Sequence, residues 1–214
     1  MAFYNTKNNM DNFYISFTDN PETEFFIFAK GYRKAASALA MNLLEKPRFS
    51  VYEAYPVVFL YRHAFELYLK DFFFQIAIIL AFNEINVIYQ KFKKTHDLIF
   101  YAEILDENCK KFFPDKKELH KVSSNVLMYA KEFAEIDENS QIYRYPSKFN
   151  INSKKGKQQT VNLSSLYDSM EDLFSKLEKI DFGFDCMKSI AQENFELRKE
   201  FLKHTGLSQD EDSQ

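Results

Sequence analysis

The sequence contains no tryptophan, only four glycines and five prolines, and two cysteines among 214 residues. All-β folds need many tight turns, which glycine and proline usually supply, so this scarcity argues against such a fold. The N-terminus shows no basic segment followed by an apolar one, and no apolar run reaches the roughly 20 residues that cross a bilayer. Two thiols without a secretory signal fit a reducing compartment, although a Cys109–Cys186 disulfide stays open. These absences predict a cytoplasmic protein without a membrane segment.

An excess of one charge sign is also missing. The chain has 28 Lys and Arg against 31 Asp and Glu, for a net charge of −3. No global attraction to nucleic acid follows, so any such contact depends on a local patch. GxGxxG, GxxxxGK[ST], HExxH, CxxC and GxSxG are absent as well, which removes the signatures of common nucleotide-binding folds, zinc hydrolases and serine hydrolases. We therefore predict no cofactor and no metal site.

Aliphatic and aromatic residues dominate what is present. Hydrophobic residues make up 46% of the chain, including 24 Phe and 13 Tyr, which is enough for a sizeable core. The most apolar stretch is 55–82, and it predicts a central helix because its last 26 residues contain no Gly or Pro. Pro56 suits the first turn of this helix. A helix that is apolar on most sides is buried on most sides.

Apolar residues at helical spacing predict four more helices, at about 21–45, 95–112, 115–135 and 163–204. The fold class predicted is therefore all-α, an up-and-down bundle of about five helices that occupies 21–204. Residues 1–20 are expected to form an N-terminal arm, and 205–214 a disordered acidic tail. The polar segment near 141–162 predicts a long loop or a small β-ribbon, with 141–146 paired to 158–162.

Residues that favour helix starts precede most of these segments. Starts are expected at Ser50, Thr95, Asp115, and Asn162 or Ser164. Thr95 as the cap places His96 and Asp97 in the first turn of the third helix. Arg33 falls on the polar side of the first helix, beside several lysines. In the last helix a pause at 182–184 stays open.

Four ionisable residues interrupt the apolar central helix. Arg62, His63, Glu66 and Lys70 lie three and four positions apart and so share a stripe. In one interpretation, Arg62 and Glu66 form an ion pair that lets the helix tolerate burial. In the other, the stripe lines a functional groove, where a guanidinium clamps phosphate, an imidazole transfers a proton and a carboxylate orients either.

Two further groups are candidates for ligand binding. His96 and Asp97 stand at a helix start, where they favour an anion or simply satisfy the helix dipole. Arg144 and Tyr145 belong to a basic, aromatic segment that could stack bases and follow phosphates. An ordinary solvated loop is the alternative for that segment.

Arg198 and His204 form a candidate catalytic pair near the C-terminus. The Arg would stabilise charge and the His would move a proton, with an RNA 2′-hydroxyl as the nucleophile. The alternative is an ordinary solvated helix face. His63 is the third candidate for a catalytic role.

Three short motifs, in order, carry a resemblance to a known family. Residues 62–70, RHAFELYLK, resemble the central helix of the HEPN superfamily, which has the form R-H-A-x-E-L-x-L-K. The H-D-L at 96–98 is similar to the opening of the next helix in many members. The Y-R-Y-P at 143–146 is similar to a loop of one uncharacterised branch. The resemblance covers about 50–180.

The resemblance implies an up-and-down helical bundle that often dimerises and serves toxin–antitoxin, abortive-infection or other phage-defence systems. Many members are metal-independent ribonucleases with an R-x4–6-H motif near the dimer cleft. Others are non-catalytic and bind nucleotides or partner proteins. Arg198–His204 is the full match to R-x4–6-H here, and it lies later in the chain than the family's catalytic motif.

Three functions are therefore open. The leading one is an intracellular, homodimeric HEPN-like protein that binds RNA, a nucleotide or a partner subunit. Its polar cleft would be lined by Arg62, His63 and Glu66, with His96 and Arg144. The second is a metal-independent endoribonuclease, and the third is a structural subunit whose aromatic residues serve assembly.

Overall fold

In a computed structural model, which describes residues 25–83, 96–137 and 160–205, the chain forms a bundle of α-helices. The helices are α1 Phe25–Leu44, α2 Val51–Phe82, α3 Leu98–Phe112, α4 Lys117–Asp137 and α5 Leu163–Thr205. No residue within the described ranges lies in a strand, and the predicted all-α bundle is confirmed. The predicted arm at 1–20, the ribbon strand at 141–146 and residues 206–214 of the predicted tail lie outside those ranges. The predicted second strand at 158–162 is wrong for its described residues 160–162, because Asn162 caps α5. Thr205, predicted in the tail, is the last residue of α5.

Helix α2 is the central element and contacts α1, α3 and α5. Its buried residues point in every direction around the helix axis, as the apolar sequence predicts. Tyr61, Phe65, Tyr68 and Leu69 are fully buried. The α3–α4 hairpin packs beside α2, and α5 packs along α2 and α1. This arrangement surrounds α2 with protein on most sides.

The start of α2 is a capping box. The side chain of Ser50 accepts a hydrogen bond from the backbone N–H of Tyr52, and Glu53 Oε2 accepts from the N–H of Ser50 at 2.7 Å. The predicted Ser50 cap is confirmed. The prediction that Pro56 lies in the first turn is wrong, because the capping box starts the helix at Val51, one turn earlier. Pro56 therefore deprives α2 of one backbone donor.

The starts of α3 and α4 differ from the prediction. Asp97 caps α3, since its Oδ1 accepts from the N–H of Phe100 at 3.1 Å. The prediction of a Thr95 cap is wrong, because Asp97 reaches the free N–H groups of the first turn itself. His96 consequently lies before the helix. Helix α4 begins at Lys117, so Asp115 lies in the preceding turn and not at the cap.

Helix α5 begins where Asn162 predicts it, with Asn162 Oδ1 accepting from the N–H of Ser165 at 2.8 Å. It continues without a break through 182–184, so the alternative interpretation, a pause of the helix there, is wrong. Phe184 is fully buried and contacts Phe113, with ring centroids 5.5 Å apart. Gly183 has no side chain, and this leaves room for the same Phe113 ring, because a Cβ at position 183 would lie 3.3 Å from that ring. Packing thus outweighs the low helix propensity of glycine.

Two properties of the described helices bear on the sequence expectations. No described helix has the length and hydropathy to cross a membrane. Cys109 is buried and Cys186 is exposed, and both are free thiols.

Two carboxyl groups share one amide where α2 meets α5. Gln75 Nε2 donates to Asp71 Oδ2 at 2.7 Å and to Asp181 Oδ1 at 2.6 Å. Asp71 is only 7% exposed. Burial is the main cause that raises the pKa of Asp71 to about 6, and the nearby Asp181 carboxylate adds to it. Ionising Asp71 therefore opposes folding.

We expect Asp71→Asn to stabilise the protein at neutral pH but not in acid. Below the ordinary pKa of 3.8, Asp71 is protonated in the folded and unfolded states. As the pH rises toward about 6, the unfolded state releases this proton more readily, so the wild type loses stability and the variant does not. The difference in unfolding free energy should grow to at most about 3 kcal/mol. Urea denaturation from about pH 4 to about pH 7.5 measures it.

Asp168→Asn is the matched control, because Asp168 is an exposed carboxylate on α5. Its stability difference from the wild type should stay constant over the same pH range. Parallel curves for wild type and Asp71→Asn would contradict the prediction.

Candidate functional site around Glu66 and His96

A buried carboxylate on α2 gathers three cationic or protonatable groups. Glu66 Oε2 accepts from Arg62 Nη1 at 3.2 Å, and Glu66 Oε1 accepts from Lys70 Nζ at 2.7 Å. His96 Nδ1 lies 2.7 Å from the same Oε1. An ionised carboxylate only accepts hydrogen bonds, so this imidazole nitrogen carries a proton. We call these four residues the Glu66 cluster.

Helix geometry and one cap assemble the Glu66 cluster. Arg62, Glu66 and Lys70 follow one another at i,i+4 spacing, which places them on one side of α2. His96 comes from the residue before the Asp97 cap, where α3 packs against α2. Arg62 Nη2 also approaches the backbone oxygen of His96 at 3.5 Å. His96 and Asp97 are adjacent in sequence but make different contacts. The His96 side chain contacts α2, whereas the Asp97 side chain caps α3.

The cations keep Glu66 ionised despite its burial. Burial by itself raises the pKa of this carboxyl, but Lys70 and His96 together hold the pKa below its ordinary value. The pKa of the neighbouring Tyr101 is shifted in the opposite direction. Burial, followed by the charges of Glu66 and Asp97, raises the pKa of Tyr101 to about 12. Glu66 is therefore an anion at neutral pH, and Tyr101 keeps its proton.

Solvent reaches only one edge of the Glu66 cluster. Arg62 and Glu66 have side chains that are 1% exposed, Lys70 is 14% exposed and His96 is 56% exposed. The buried Arg62–Glu66 ion pair of the first interpretation is present. The second interpretation, a groove lined by Arg62 and Glu66, is not supported, because both side chains are buried behind Lys70 and His96.

His63 packs against aromatic rings. Its ring meets the ring of Tyr32 edge-on, with centroids 4.4 Å apart, and stacks on Phe59 at 5.7 Å. One residue turns a helix by about 100°, so His63 diverges from Arg62 even though they are adjacent in sequence. The structure places the His63 imidazole between aromatic rings of α1 and α2.

The candidate pair Arg198 and His204 is not part of the Glu66 cluster. Arg198 and His204 are both exposed near the end of α5. Six positions turn a helix by about 240°, so these two side chains leave α5 in different directions. Arg144 and Tyr145 lie outside the described residues.

Arg33 is a polar contact that the sequence interpretation missed. It is 19% exposed and bridges α1 to α5, with Nη2 2.9 Å from Glu171 and Nη1 3.1 Å from Glu178. Tyr61 and Tyr68 on α2 donate to the same carboxylates at 3.0 and 3.3 Å. The sequence does contain an indication of these contacts, because the two tyrosines are seven residues apart and the two glutamates are also seven residues apart.

A cavity of about 420 Å³ lies between α2, α4 and the first turns of α5. Val58, Phe133 and Met170 supply apolar surface, and Tyr129 and Glu132 supply polar groups. No member of the Glu66 cluster lines it. The cavity and the ionisable stripe of α2 are therefore separate features.

Comparisons with protein-family models, with curated proteins and with solved structures found no match for this chain. The resemblance to the HEPN superfamily therefore stays a prediction carried by its three motifs. Among the residues that the structure describes, no three side chains of His, Cys, Asp or Glu come together as a metal site.

We expect Glu66→Gln to destabilise the fold by about 3–5 kcal/mol, because it removes the buried charge that Arg62, Lys70 and His96 share. Replacing both members, as in Arg62→Met with Glu66→Leu, should restore most of this loss. Urea denaturation with circular dichroism measures both.

The control is Asp172→Asn, which removes an i,i+4 pair with Lys176 whose Asp172 side chain is 60% exposed. That change should cost less than about 1 kcal/mol. A Glu66→Gln loss no larger than the control's would show that the buried pair contributes little to the fold.

Proposed function

We propose that this chain is a HEPN-like, homodimeric binding protein of the cytoplasm that serves a prokaryotic defence or toxin–antitoxin system. It binds phosphate groups of RNA or of a nucleotide at the surface edge formed by Lys70 and His96. One observation supports this proposal above the others: a buried carboxylate, Glu66, holds a solvent-exposed imidazole at 2.7 Å.

The contact with Glu66 prepares His96 for a ligand. With Nδ1 engaged, the ring keeps one orientation, and Nε2 is left to meet a phosphate oxygen or a ribose hydroxyl. A side chain that is already ordered loses less conformational freedom on binding.

The cations of the Glu66 cluster are suited to contact an anion. Arg62 and Lys70 are cations that contact Glu66, and the carboxylate of Asp97 lies next to His96 in the chain. Buried charges are screened less by salt than exposed ones, so Arg62 contributes to the potential at the edge without touching the ligand. In this proposal Arg62 acts from behind His96 and Lys70, and does not line a groove.

We expect His96→Ala and Lys70→Gln each to weaken RNA binding by about tenfold, because each removes one contact to phosphate. Fluorescence anisotropy with a labelled single-stranded RNA measures the affinity, and competition with ATP compares a nucleotide at the same edge. Binding should weaken as salt increases.

His204→Ala and Lys121→Gln are the controls, since both residues are exposed and lie on other helices. Equal affinities for the wild type, the two test variants and the two controls would contradict the proposed site. Absence of RNA and nucleotide binding, together with a co-purifying protein that His96→Ala releases, would assign the edge to a partner subunit.

A metal-independent endoribonuclease is the second candidate function. The observation that favours it is the Glu66–His96 contact, since a carboxylate that orients an imidazole is a common arrangement for proton transfer. Here His96 would take the proton of a ribose 2′-hydroxyl as its oxygen bonds to the adjacent phosphorus. The bond from phosphorus to the 5′-oxygen breaks, and the departing oxygen takes up the proton. This assigns the acid–base role to His96 in place of His204 or His63.

If the chain cleaves RNA, we expect cleavage in the presence of EDTA, at least about a hundredfold slower in His96→Ala and unchanged in His204→Ala. The opposite pattern would favour the Arg198–His204 pair. Intact RNA after incubation with concentrated wild-type protein would leave the binding function alone.

A further inference from the structure

The cavity of about 420 Å³ beside the first turns of α5 has an apolar floor and a polar rim. Its floor is formed by Val58, Phe133 and Met170, which are buried and belong to the hydrophobic core. Glu132 and Glu135 line the same space and are exposed. Ligand pockets commonly enclose about 300–1,000 Å³ and combine apolar walls with a few polar groups. The cavity therefore has the size and composition of a site for a small organic molecule.

The charged side chains of the cavity are acidic. Among the described residues that line it, Glu132 and Glu135 carry negative charge and none is Lys, Arg or His. Lys131 precedes Glu132 in the chain, but it lines a neighbouring depression that shares the two glutamates, and not this cavity. A cavity with low-dielectric walls and one sign of charge favours a ligand of the opposite sign. The ligand expected here is a cation.

The end of α4 strengthens this preference. Helix α4 ends at Asp137 and has no basic residue in its last turn, and Glu135 lies within that turn. The C-terminal end of a helix carries partial negative charge and is stabilised by cations. A cation bound in the cavity supplies the positive charge that the last turn of α4 does not provide itself.

The start of α5 also borders the cavity, and a helix start by itself favours an anion. However, Asn162 Oδ1 already accepts from the N–H of Ser165 at 2.8 Å, so this donor is not available to a ligand. The hydroxyl groups of Ser165 and Ser169, one turn apart, line the cavity and can accept hydrogen bonds. Helix α5 therefore offers acceptors to an ammonium group.

Tyr129 adds an aromatic ring to the acidic side of the cavity. It precedes Glu132 by three positions on α4, so the two side chains are neighbours on one side of this helix. Both line the cavity, and Tyr129 is partly buried. A cation is attracted to the face of a tyrosine ring. A ring, two carboxylates and an apolar floor together suit an organic ammonium ion with a hydrocarbon part.

We propose that this cavity binds a small organic amine. The ammonium group of the ligand contacts Glu132 and Glu135 at the rim, and its hydrocarbon part packs on the apolar floor. No member of the Glu66 cluster lines the cavity. The amine site is therefore an addition to the proposed function and does not depend on it.

Isothermal titration calorimetry of the full chain at neutral pH tests the amine site with two probes, phenethylamine and hexylamine. We expect at least one of them to bind with a Kd of about 1 mM or below. Phenethyl alcohol, hexanol and phenylpropionate keep a similar hydrocarbon part but lack the positive charge. These compounds should bind at least about tenfold more weakly, because they cannot pair with the carboxylates.

Three variants locate the binding. Glu132→Gln and Glu135→Gln should each weaken amine binding by about fivefold, because each removes one of the two carboxylates. Ser169→Phe should weaken it at least about tenfold, because the added ring occupies the cavity. Circular dichroism verifies that the variants keep their helices. Glu118→Gln is the matched control, since Glu118 is an exposed glutamate in the first turn of α4 and does not line the cavity.

The possible results separate the amine from other ligands. Equal affinity for the amines and the uncharged alcohols would overturn the amine class, and tighter binding of phenylpropionate would assign the cavity to an anion at the start of α5. Amine binding that none of the three variants weakens would overturn the location. Failure of both amines to bind at about 10 mM, ten times the expected Kd, would overturn the site. The RNA affinity of the Lys70–His96 edge is measured separately.

Discussion

The burial of one carboxylate constrains this structure more than any other polar contact. Glu66 lies on the most apolar helix of the described residues and is 1% exposed, yet it remains ionised because Lys70 and His96 contact its carboxylate, which also pairs with Arg62. Removing two charges from water is costly, and only close contacts with good geometry offset that cost. The requirement fixes where α3 begins relative to α2, since His96 must reach Glu66 while Asp97 caps the helix. The surface edge proposed to bind phosphate is the solvent-facing end of the same arrangement.

Each side of α2 uses its few polar groups toward a different neighbour. The Glu66 cluster faces the start of α3, Tyr61 and Tyr68 face carboxylates of α5, and Gln75 joins Asp71 to Asp181. Apolar packing alone is non-directional and tolerates several arrangements of similar helices. Hydrogen bonds in a low-dielectric interior are directional and costly to leave unmade. The polar groups of α2 therefore help to select one arrangement of the helices around it.

The sequence predicted the helices better than it predicted the contacts between them. The five helices follow from apolar spacing, and the caps at Ser50 and Asn162 follow from side-chain chemistry within a few residues. The cap at Asp97 was missed because Thr95 and Asp97 are both good caps, and the packing of α3 on α2 decides between them. The stripe of α2 was visible, but spacing could not show that Arg62 is enclosed, that His63 turns toward Tyr32, or that Arg33 bridges to α5. Those outcomes depend on which helices meet, and this information is spread over distant parts of the chain.

The paired tyrosines and glutamates have a consequence for how α5 tolerates insertion and deletion. Tyr61 and Tyr68 on α2 are matched to Glu171 and Glu178 on α5, and Arg33 joins both carboxylates. Sliding α5 by one turn, about 5.4 Å, would break these bonds together. These paired contacts thus fix the position of α5 along its axis relative to α2. Changes in length between Glu171 and Glu178 should be excluded from functional variants of this chain.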